Sequence, residues 1–153
     1  MSHEFSDPDI TTAIVKLRSG NLFVSSVYLD ILREGSDMFL DKLLQLIHHC
    51  KQSNSQLILG IDSNAHSFLW GPDSNPRGEM LEELMATNVL ELANIGFEPT
   101  FVAQGTQTNI DITLQLNTSV INWKVTDEVS MFDHRPIRFS ITTTNTTKLR
   151  SPI

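Results

Sequence analysis

The sequence has almost no cysteine, few basic residues and no apolar run at its beginning. Its single cysteine, Cys50, excludes an intrachain disulfide. The opening residues MSHEFSDPDI are polar and acidic, whereas a secretion signal has a basic patch followed by an apolar run. No membrane anchor is indicated either. We therefore expect an intracellular protein, nuclear or cytoplasmic, that is not secreted and has no membrane partner.

Basic residues are too few for indiscriminate attraction to polyanions. Eleven Lys and Arg against eighteen Asp and Glu give a formal net charge of −7. If nucleic acid is the substrate, the attraction must be local or assisted by a metal ion. The 153 residues, 40% hydrophobic and 19% charged, are typical of one soluble domain with a single core.

Local patterns predict two helices and several strands. Two β-rich runs, 12–18 and 22–28, are separated by Ser19-Gly20-Asn21 and predict a hairpin. Helical spacing predicts helices at 36–50, with Ser36 or Asp37 as the N-cap, and at 77–88. Further strands or extended pieces are predicted at 56–61, 88–95, 99–102, 109–116, 119–125 and 135–142.

The order of these elements, with few helices and many strands, defines the expected fold class. It favours a layered α/β sandwich of mixed and antiparallel sheets flanked by helices. We expect a polar lead at residues 1–11 and a folded domain at 12–142. Residues 143–153 have almost nothing to bury, so they are predicted to be a disordered tail.

Three polar pairs lie in or beside predicted strands: Asp62 with Asn64, Asp111 with Thr113, and Asp133 with His134. Residues two apart in an extended segment share a face, so each of the first two pairs can face one ligand. The third pair lies in a loop before a strand, where sheet proteins often place reactive groups. Tyr28 ends the second strand and could add a hydroxyl to the same rim.

Each of these features also has a purely structural explanation. An Asp after an apolar strand is most often a turn former or a helix cap. Asp111 alternates with isoleucines, so its carboxylate lies on the opposite face of the strand and needs solvent or a partner. Phe68, Leu69 and Trp70 form either a wedge for nucleic-acid bases or, more commonly, a loop that packs onto the core.

If the three pairs converge, their chemistry favours a hydrolase. Cleavage of a phosphodiester requires neutralised phosphate oxygens, a deprotonated water and a stabilised leaving oxygen. Carboxylates that hold a divalent cation, together with a His oriented by an Asp, supply all three. Oxygen ligands suit a hard ion such as Mg²⁺, whereas a zinc site would require more His or Cys.

Four motifs, in chain order, resemble one known family: GIDSNAHSFLWGPDSNPRGEMLEEL, LELANIGFEPTFV, NIDITL and WKVTDEVSMFDHRPI. The sequence is similar to the endonuclease/exonuclease/phosphatase superfamily, and most closely to the endonuclease domain of non-LTR retrotransposons. The resemblance covers residues 12–141. It implies a DNA-nicking domain with a divalent cation, Mg²⁺ or Mn²⁺, as cofactor, and a fused reverse transcriptase as partner.

The resemblance also implies roles for individual residues. Asp62 would bind the attacking water or the metal-bound phosphate. Asn64 would orient the phosphate, and Tyr28 would contact it. Asp111 would hold the catalytic His134 in its tautomer.

The resemblance places Asp133 beside Asp62 at the metal site, and it implies accessory roles for His66, Trp70, Arg77 and Thr113. Phe132 stands where the family usually has a Ser. Only 27 residues precede Tyr28. We therefore expect the chain to lack the first strands of the family fold and the metal-binding Glu that they carry.

Three functions are compatible with these residues. A DNA-nicking endonuclease is favoured, because the WG and RG of the loop and helix after Asn64 are typical of the retrotransposon branch. A phosphatase or phosphodiesterase acting on a small phosphate ester would use the same groups. A noncatalytic remnant is the third alternative, because the expected loss of a Glu removes one anchor of the cation.

Overall fold

The structure is a computed structural model that describes residues 4–128 and 132–142, and its centre is a five-stranded sheet. Its strands are β1 (Ile10–Leu17), β2 (Gly20–Tyr28), β3 (Gln56–Asp62), β4 (Glu91–Leu92) and β7 (Asp111–Leu116). They lie in the order β1-β2-β3-β7-β4. β2 and β3 are parallel, and the other neighbours are antiparallel. The predicted disordered tail lies outside the described residues.

Two small antiparallel hairpins accompany the main sheet. One joins β5 (Phe101–Ala103) to β6 (Thr106–Thr108), and the other joins β8 (Val120–Val125) to β9 (Ile137–Ile141). β6 was not predicted, because its residues Thr-Gln-Thr are polar and short. With several sheets and two helices, the observed fold confirms the predicted α/β class.

The two helices are α1 (Asp41–Ser53) and α2 (Pro76–Asn88). Helix α2 begins one residue before the prediction, and its N-cap is Asn75, whose side-chain oxygen accepts a hydrogen bond from Gly78 N at 2.8 Å. The proline at its first position has no N–H to leave unsatisfied, which suits a helix start.

Helix α1 begins later than predicted, and the proposed N-cap at Ser36 or Asp37 is wrong. Residues Gly35–Met38 form a separate 3₁₀ turn, and α1 starts after Leu40, which makes no side-chain cap hydrogen bond. Met38 and Leu40 are both buried in the core. Burial of these two apolar side chains therefore decides the path of the chain here, rather than capping by a polar residue.

One face of the main sheet forms the core with the helices. Successive strand residues alternate between faces, and Leu57, Leu59 and Ile61 of β3 all point to the helical side. They pack in one cluster with buried residues of α1 (Leu43, Leu46, Ile47 and Cys50) and of α2 (Leu81, Leu84 and Met85). This burial fixes Asp62 on the opposite face of β3, away from the helices.

The second face of the sheet is contacted by the β8–β9 hairpin. Trp123 of β8 is 5% exposed, and its Nε1–H donates to Thr113 Oγ1 of β7 at 3.0 Å. Trp123 forms a small second cluster with Ala93 and Val125. The hairpin is thereby attached to the strand that carries Asp111, which places the loop between β8 and β9 at the same end of the sheet as Asp62.

The beginning of the chain contributes to the fold before the predicted boundary at residue 12. Phe5 is buried in the main core, and β1 starts at Ile10. Thr12 donates its hydroxyl to Phe5 O at 2.7 Å, which attaches this segment to the edge of the sheet. Within the described part of the chain, neither helix is long and apolar enough to span a membrane.

Candidate active site

Three side chains lie in one row across the main sheet. Tyr28 of β2 is opposite Asp62 of β3, and Asp62 is opposite Asp111 of β7. Residues paired in this way point to the same face, so the phenol and both carboxylates face away from the helices. Tyr28 is exposed, while Asp62 and Asp111 are half-buried. Parallel pairing of β2 with β3 and antiparallel pairing of β3 with β7 therefore bring together three predicted site residues.

His134 completes this row from the loop between β8 and β9. Its Nδ1 lies 2.9 Å from Asp111 Oδ2 and 3.1 Å from Oδ1. Its Nε2 lies 3.5 Å from Asp62 Oδ2. One ligand atom from each of Asp62, Asp111 and His134 lies within 4.8 Å of the other two. The partner that the sequence required for the Asp111 carboxylate is therefore this imidazole.

The β5–β6 hairpin holds the His134 loop in place. Val102 N donates to Asp133 O at 2.9 Å, and Arg135 N donates to Thr100 O at 2.7 Å. The Phe101 ring lies edge-on to the imidazole of His134, with centroids 5.0 Å apart and an interplanar angle of 73°. Sequence reasoning missed Phe101, because PTFV gave only an extended piece with no sign of the loop that it pairs with.

The surroundings of Asp62 and His134 favour the protonated form of each side chain. Burial raises the pKa of Asp62, and the neighbouring charge of Asp111 raises it further, although His134 and Arg77 act in the opposite direction. Burial alone would lower the pKa of His134, but the hydrogen bond to Asp111 and the nearby carboxylates outweigh it and raise that pKa. Because both pKa values are raised, the pair Asp62 and His134 tends to retain a proton.

Asp62 offers the free ligand atom of the site. Its Oδ1 is buried and has no hydrogen-bond partner among residues 4–128 and 132–142. A buried carboxylate oxygen without a partner is costly, and a cation or a water would satisfy it. A hard divalent cation such as Mg²⁺ accepts one or two protein carboxylates and completes its shell with water and substrate oxygens. Asp62 Oδ1 therefore fits such an ion as a ligand, whereas the Asp111 carboxylate is already hydrogen-bonded to His134.

The predicted phosphate-orienting residue Asn64 lies beside this row. Its backbone is left-handed, with φ of 50°, a conformation that Asn adopts more readily than most residues. Its Nδ2 donates to Leu29 O at 3.0 Å. Asn64 also lines a cavity of about 440 Å³ together with Tyr28, Asp62 and His134. The amide is thus held by the loop after β2 and presented to the space beside the carboxylates.

Asp133, the second predicted metal ligand, lies outside this group of ligand atoms. It is exposed, and it does not belong to the group formed by Asp62, Asp111 and His134. Its charge nevertheless contributes to raising the pKa of His134. A role as metal ligand stays a prediction for Asp133.

Two of the predicted accessory residues support the loop that follows β3. Trp70 is 1% exposed, and its Nε1–H donates to Ala65 O at 3.2 Å. His66 Nδ1 pairs with Asp73 Oδ1 at 2.9 Å, and His66 also lines the cavity beside Asp62. Trp70 therefore packs onto the core, as the commoner of the two alternatives predicted, but Phe68 and Leu69 of the same loop are exposed and do not. His66 is accessible from the site.

Arg77 is the third predicted accessory residue, and its side chain donates hydrogen bonds to backbone carbonyl oxygens. Its guanidinium donates to four carbonyl oxygens: Ser63 O at 2.9 Å, Arg33 O at 2.7 Å, Leu29 O at 2.8 Å and Asp30 O at 3.0 Å. These carbonyls belong to the loops after β2 and β3. Arg77 therefore ties together the two loops that leave the sheet beside Tyr28 and Asp62.

Thr113, the fourth accessory residue, joins two strands. It is 3% exposed and accepts the hydrogen bond from Trp123. Its backbone N–H donates to Asn94 Oδ1 at 2.8 Å, while Asn94 Nδ2 donates to Asp111 O at 3.1 Å. Thr113 and Asn94 thus fix the end of β7 on which Asp111 lies. Asn94 is a further support that the sequence did not reveal.

Comparison with known proteins identifies the relatives of this chain. No curated protein matches the sequence. The endonuclease domain of TRAS1, a telomere-specific non-LTR retrotransposon, has 23% identity and a TM-score of 0.72 over 90% of this chain and 65% of its own. The Xenopus laevis APE2 catalytic domain has 16% identity and a TM-score of 0.58 over 86% of this chain and 54% of its own.

These two similarities show a shared fold. This chain spans 65% of the TRAS1 domain and 54% of the APE2 domain, so it covers only part of each. The family is shown by a separate comparison. The sequence profile described as endonuclease-reverse transcriptase matches residues 22–138, which include Tyr28, Asp62, Asp111 and His134. The resemblance to retrotransposon endonucleases is thereby confirmed, and the chain belongs to the endonuclease-reverse transcriptase family.

Proposed function

We propose that this chain is a metal-dependent DNA-nicking endonuclease domain of a retrotransposon-like reverse transcriptase polyprotein. The observation that carries the proposal is the group Asp62, Asp111 and His134, whose ligand atoms lie within 4.8 Å of one another. Within the residues that the structure describes, a buried oxygen of Asp62 also has no hydrogen-bond partner. The family description and the printed title of the TRAS1 structure support DNA as the substrate and a reverse transcriptase as the fused partner.

His134 acts as the proton acceptor. Its Nδ1–H donates to Asp111, which fixes the tautomer in which Nε2 carries the lone pair. Nε2 lies 3.5 Å from Asp62 Oδ2, so a water on the open side of this pair can hydrogen-bond to both atoms at once. Nε2 removes the proton of that water as the water attacks phosphorus. Asp111 stabilises the imidazolium that forms.

Asp62 and the neighbouring polar groups orient the phosphodiester. The Tyr28 hydroxyl and the Asn64 amide both border the cavity that contains Asp62 and His134, and both can donate to a phosphate oxygen. Asp62 would hold Mg²⁺ or Mn²⁺ through Oδ1, with Asp133 as a candidate second ligand. When bound, the cation would neutralise phosphate charge and stabilise the leaving oxygen.

The test is nicking of a supercoiled plasmid by the purified chain with Mg²⁺ or Mn²⁺. Removal of a general base costs about 10²–10⁴-fold in rate, so His134→Ala should nick at least about a hundredfold more slowly than the wild type. Asp62→Asn, which keeps the shape but removes the charge, should also lose nicking. EDTA should abolish the activity. His48→Ala removes an exposed histidine of α1 and serves as the matched control, with unchanged nicking expected.

Equal nicking by the wild type, His134→Ala and Asp62→Asn would refute the proposal, because the activity would then come from a contaminant or from another site. Absence of nicking in all proteins, with each folded and each metal supplied, would also overturn it. That second result would favour the noncatalytic alternative that the sequence left open.

A further inference from the structure

Two histidines line the cavity beside the candidate active site. Of the four histidines that the structure describes, His48 and His49 lie on α1. The other two, His66 and His134, border the cavity of about 440 Å³ that contains Asp62. His66 comes from the loop after β3, and His134 comes from the loop between β8 and β9. The cavity is therefore bounded by two imidazoles on separate elements.

The backbone of His66 is fixed by helix α2 and its N-cap. His66 N–H donates to Asn75 Oδ1 at 3.1 Å, and Asn75 N–H donates to His66 O at 3.0 Å. Helix α2 packs so closely against this turn that a Cβ on Gly78 would lie 1.8 Å from His66 O. These contacts use only backbone atoms of His66, so the loop positions the imidazole without needing it for support.

The imidazole of His66 is oriented by Asp73. Its Nδ1 lies 2.9 Å from Asp73 Oδ1, and because a carboxylate only accepts hydrogen bonds, Nδ1 carries a hydrogen. This leaves the other ring nitrogen, Nε2, available to a molecule bound in the cavity. Asp73 is 64% exposed, and exposed pairs of this kind contribute little to stability. The main effect of Asp73 is therefore to orient the ring and to compensate its charge when the ring is protonated.

Thr108 adds a polar atom without a partner to the same cavity. Its Oγ1 is buried, and within residues 4–128 and 132–142 it forms no hydrogen bond. A buried hydroxyl without a hydrogen bond is costly, so an oxygen atom of a bound molecule would satisfy it. Ile31, Phe101 and Ile110 also line the cavity. The cavity therefore suits a polar group that is partly enclosed by apolar walls, where charges interact more strongly than in water.

Hydrolysis of a phosphodiester requires proton transfers at two different oxygens. The attacking water loses a proton and the departing oxygen gains one, and these two oxygens lie roughly in line through phosphorus. In one such displacement, a single imidazole cannot reach both. His134 belongs with Asp62 and Asp111 to the group of ligand atoms within 4.8 Å of one another, and His66 does not. The two rings are thus placed as a base and an acid at different parts of one cavity.

We propose that His66 is a second catalytic histidine, which donates its Nε2 proton to the leaving oxygen. This inference rests on the proposed nuclease function and adds a residue to its mechanism. As the water oxygen bonds to phosphorus, its proton passes to His134. As the bond from phosphorus to the leaving oxygen breaks, its electron pair stays on that oxygen and takes the proton of His66. His66 ends neutral, and both imidazoles exchange protons with solvent before the next cycle.

The test compares two substrates that differ only in the departing atom. Plasmid nicking with Mg²⁺ or Mn²⁺ first maps a cleavage position, and the groups on the new strand ends show which oxygen leaves. A duplex of that sequence is then made with either oxygen or sulfur at the leaving position. A thiolate departs without a proton, because thiols are acidic, with a pKa of about 8.5 for a free cysteine. Loss of a general acid should therefore slow the oxygen substrate and spare the sulfur substrate.

Each variant is compared with the wild type on the same substrate. His66→Gln, which has no proton to transfer, should cleave the oxygen substrate at least about a hundredfold more slowly and the sulfur substrate within about threefold of the wild type. Asp73→Asn should slow the oxygen substrate about tenfold, because His66 remains but its charge is no longer compensated. His134→Ala should be slow on both substrates, since the water still needs a base. His48→Gln changes an exposed histidine of α1 and should alter neither rate.

Two results would overturn the inference. Equal slowing of both substrates by His66→Gln would show that the residue supports the loop, and unchanged cleavage of the oxygen substrate would show that it has no role. In both cases, nicking that still depends on His134 leaves the proposed nuclease function intact. Nicking that is absent, or independent of His134, refutes that function separately and the inference with it.

Urea unfolding checks that the variants fold. His66→Gln should unfold at the same midpoint as the wild type, because the hydrogen bonds that hold this loop use backbone atoms of His66. If it does not fold, Asp73→Asn decides by the same comparison of oxygen and sulfur substrates, since its side chain is 64% exposed. Equal rates of Asp73→Asn and the wild type on the oxygen substrate would then overturn the inference.

Discussion

Replacement of Arg77 should destabilise the protein more than any exposed charged residue would. The guanidinium donates to four carbonyl oxygens in the loops after β2 and β3. Three of these hydrogen bonds are partly buried, and the one to Arg33 O is exposed. In Arg77→Met, water can replace the exposed bond but reaches the others poorly. At about 1 kcal/mol for each partly buried bond, the free energy of unfolding should fall by about 3 kcal/mol.

A lysine at position 77 restores the positive charge but not the planar arrangement of guanidinium donors. An ammonium is a single point with three donors, so Arg77→Lys can reach one or two of the four carbonyls and should lose about 2 kcal/mol. The consequence extends to the site, because Leu29 O accepts from both Arg77 and Asn64. Loosening this loop should therefore also reduce nicking, through the position of Asn64.

Urea unfolding followed by tryptophan fluorescence measures the effect, because Trp70 and Trp123 are both buried and report on the core. The matched control is Arg138→Met, which removes an exposed arginine paired with Glu128 and should cost less than about 1 kcal/mol. If Arg77→Met costs no more than this control, the four hydrogen bonds do not hold the loops together and the reasoning fails.

Three further predictions concern close packing, pH and catalysis. A Cβ on Gly78 would lie 1.8 Å from His66 O, so Gly78→Ala should lower the free energy of unfolding by about 3 kcal/mol or more. The control is Gly60→Ala, whose new Cβ would have its nearest contact at 3.9 Å and should change that free energy by less than about 1 kcal/mol. Equal losses in the two variants would contradict the prediction. In EDTA, the stabilisation from the raised pKa of His134 is complete below its unfolded value of about 6.5 and is lost as pH rises through the folded pKa. The wild type should therefore lose more stability than His134→Gln as the pH rises above about 6.5. If urea unfolding gives parallel pH profiles for the two proteins, the pKa of His134 is not raised by folding and the prediction is wrong. Asp111→Asn should slow plasmid nicking by about a hundredfold or more, because the amide no longer selects the Nδ1–H tautomer; unchanged nicking would exclude that role.

Local patterns were sufficient to predict most of the elements and the residues that end them. The alternation of Asp62 with Asn64 after a buried run placed both at a strand end, and the hairpin before Tyr28 was found from its glycine turn. These predictions depend on neighbours within a few residues, so a sequence is enough to make them. The start of α1 could not be predicted in this way, because burial of Met38 and Leu40 by distant parts of the chain decides it.

The convergence of the site depends on pairing between distant strands. Asp62 and Asp111 are adjacent only because β3 pairs with β7 in one register, and a shift of one residue would turn either carboxylate to the helical face. The edge-on contact of Phe101 with His134 depends similarly on a bridge between β5 and the loop that carries His134. No local pattern encodes either contact. In this chain, the resemblance of four ordered motifs to a family supplied what periodicity could not.

The direction in which a polar side chain points is the least predictable part of the site. Arg77 belongs to the same sequence motif as Asp62 and Asn64, yet its donors satisfy backbone carbonyls of the loops after β2 and β3. The same need explains Trp70 and Thr113, whose polar atoms join neighbouring segments. Residues that a motif groups with catalysis can therefore serve it indirectly, by fixing the loops from which Asn64 and Tyr28 act.

The charge balance of the row supports the proposal that a cation binds there. Two carboxylates, Asp62 and Asp111, lie opposite each other and share one imidazole, so one negative charge is uncompensated even when that ring is protonated. Asp111 has the closer contact with His134, because both of its oxygens lie within 3.1 Å of Nδ1. The uncompensated charge falls on Asp62, whose pKa is raised and whose Oδ1 has no hydrogen-bond partner in the described part of the chain. A divalent cation at that oxygen would remove the repulsion and release the proton that Asp62 and His134 otherwise tend to retain, leaving Nε2 free to act as a base.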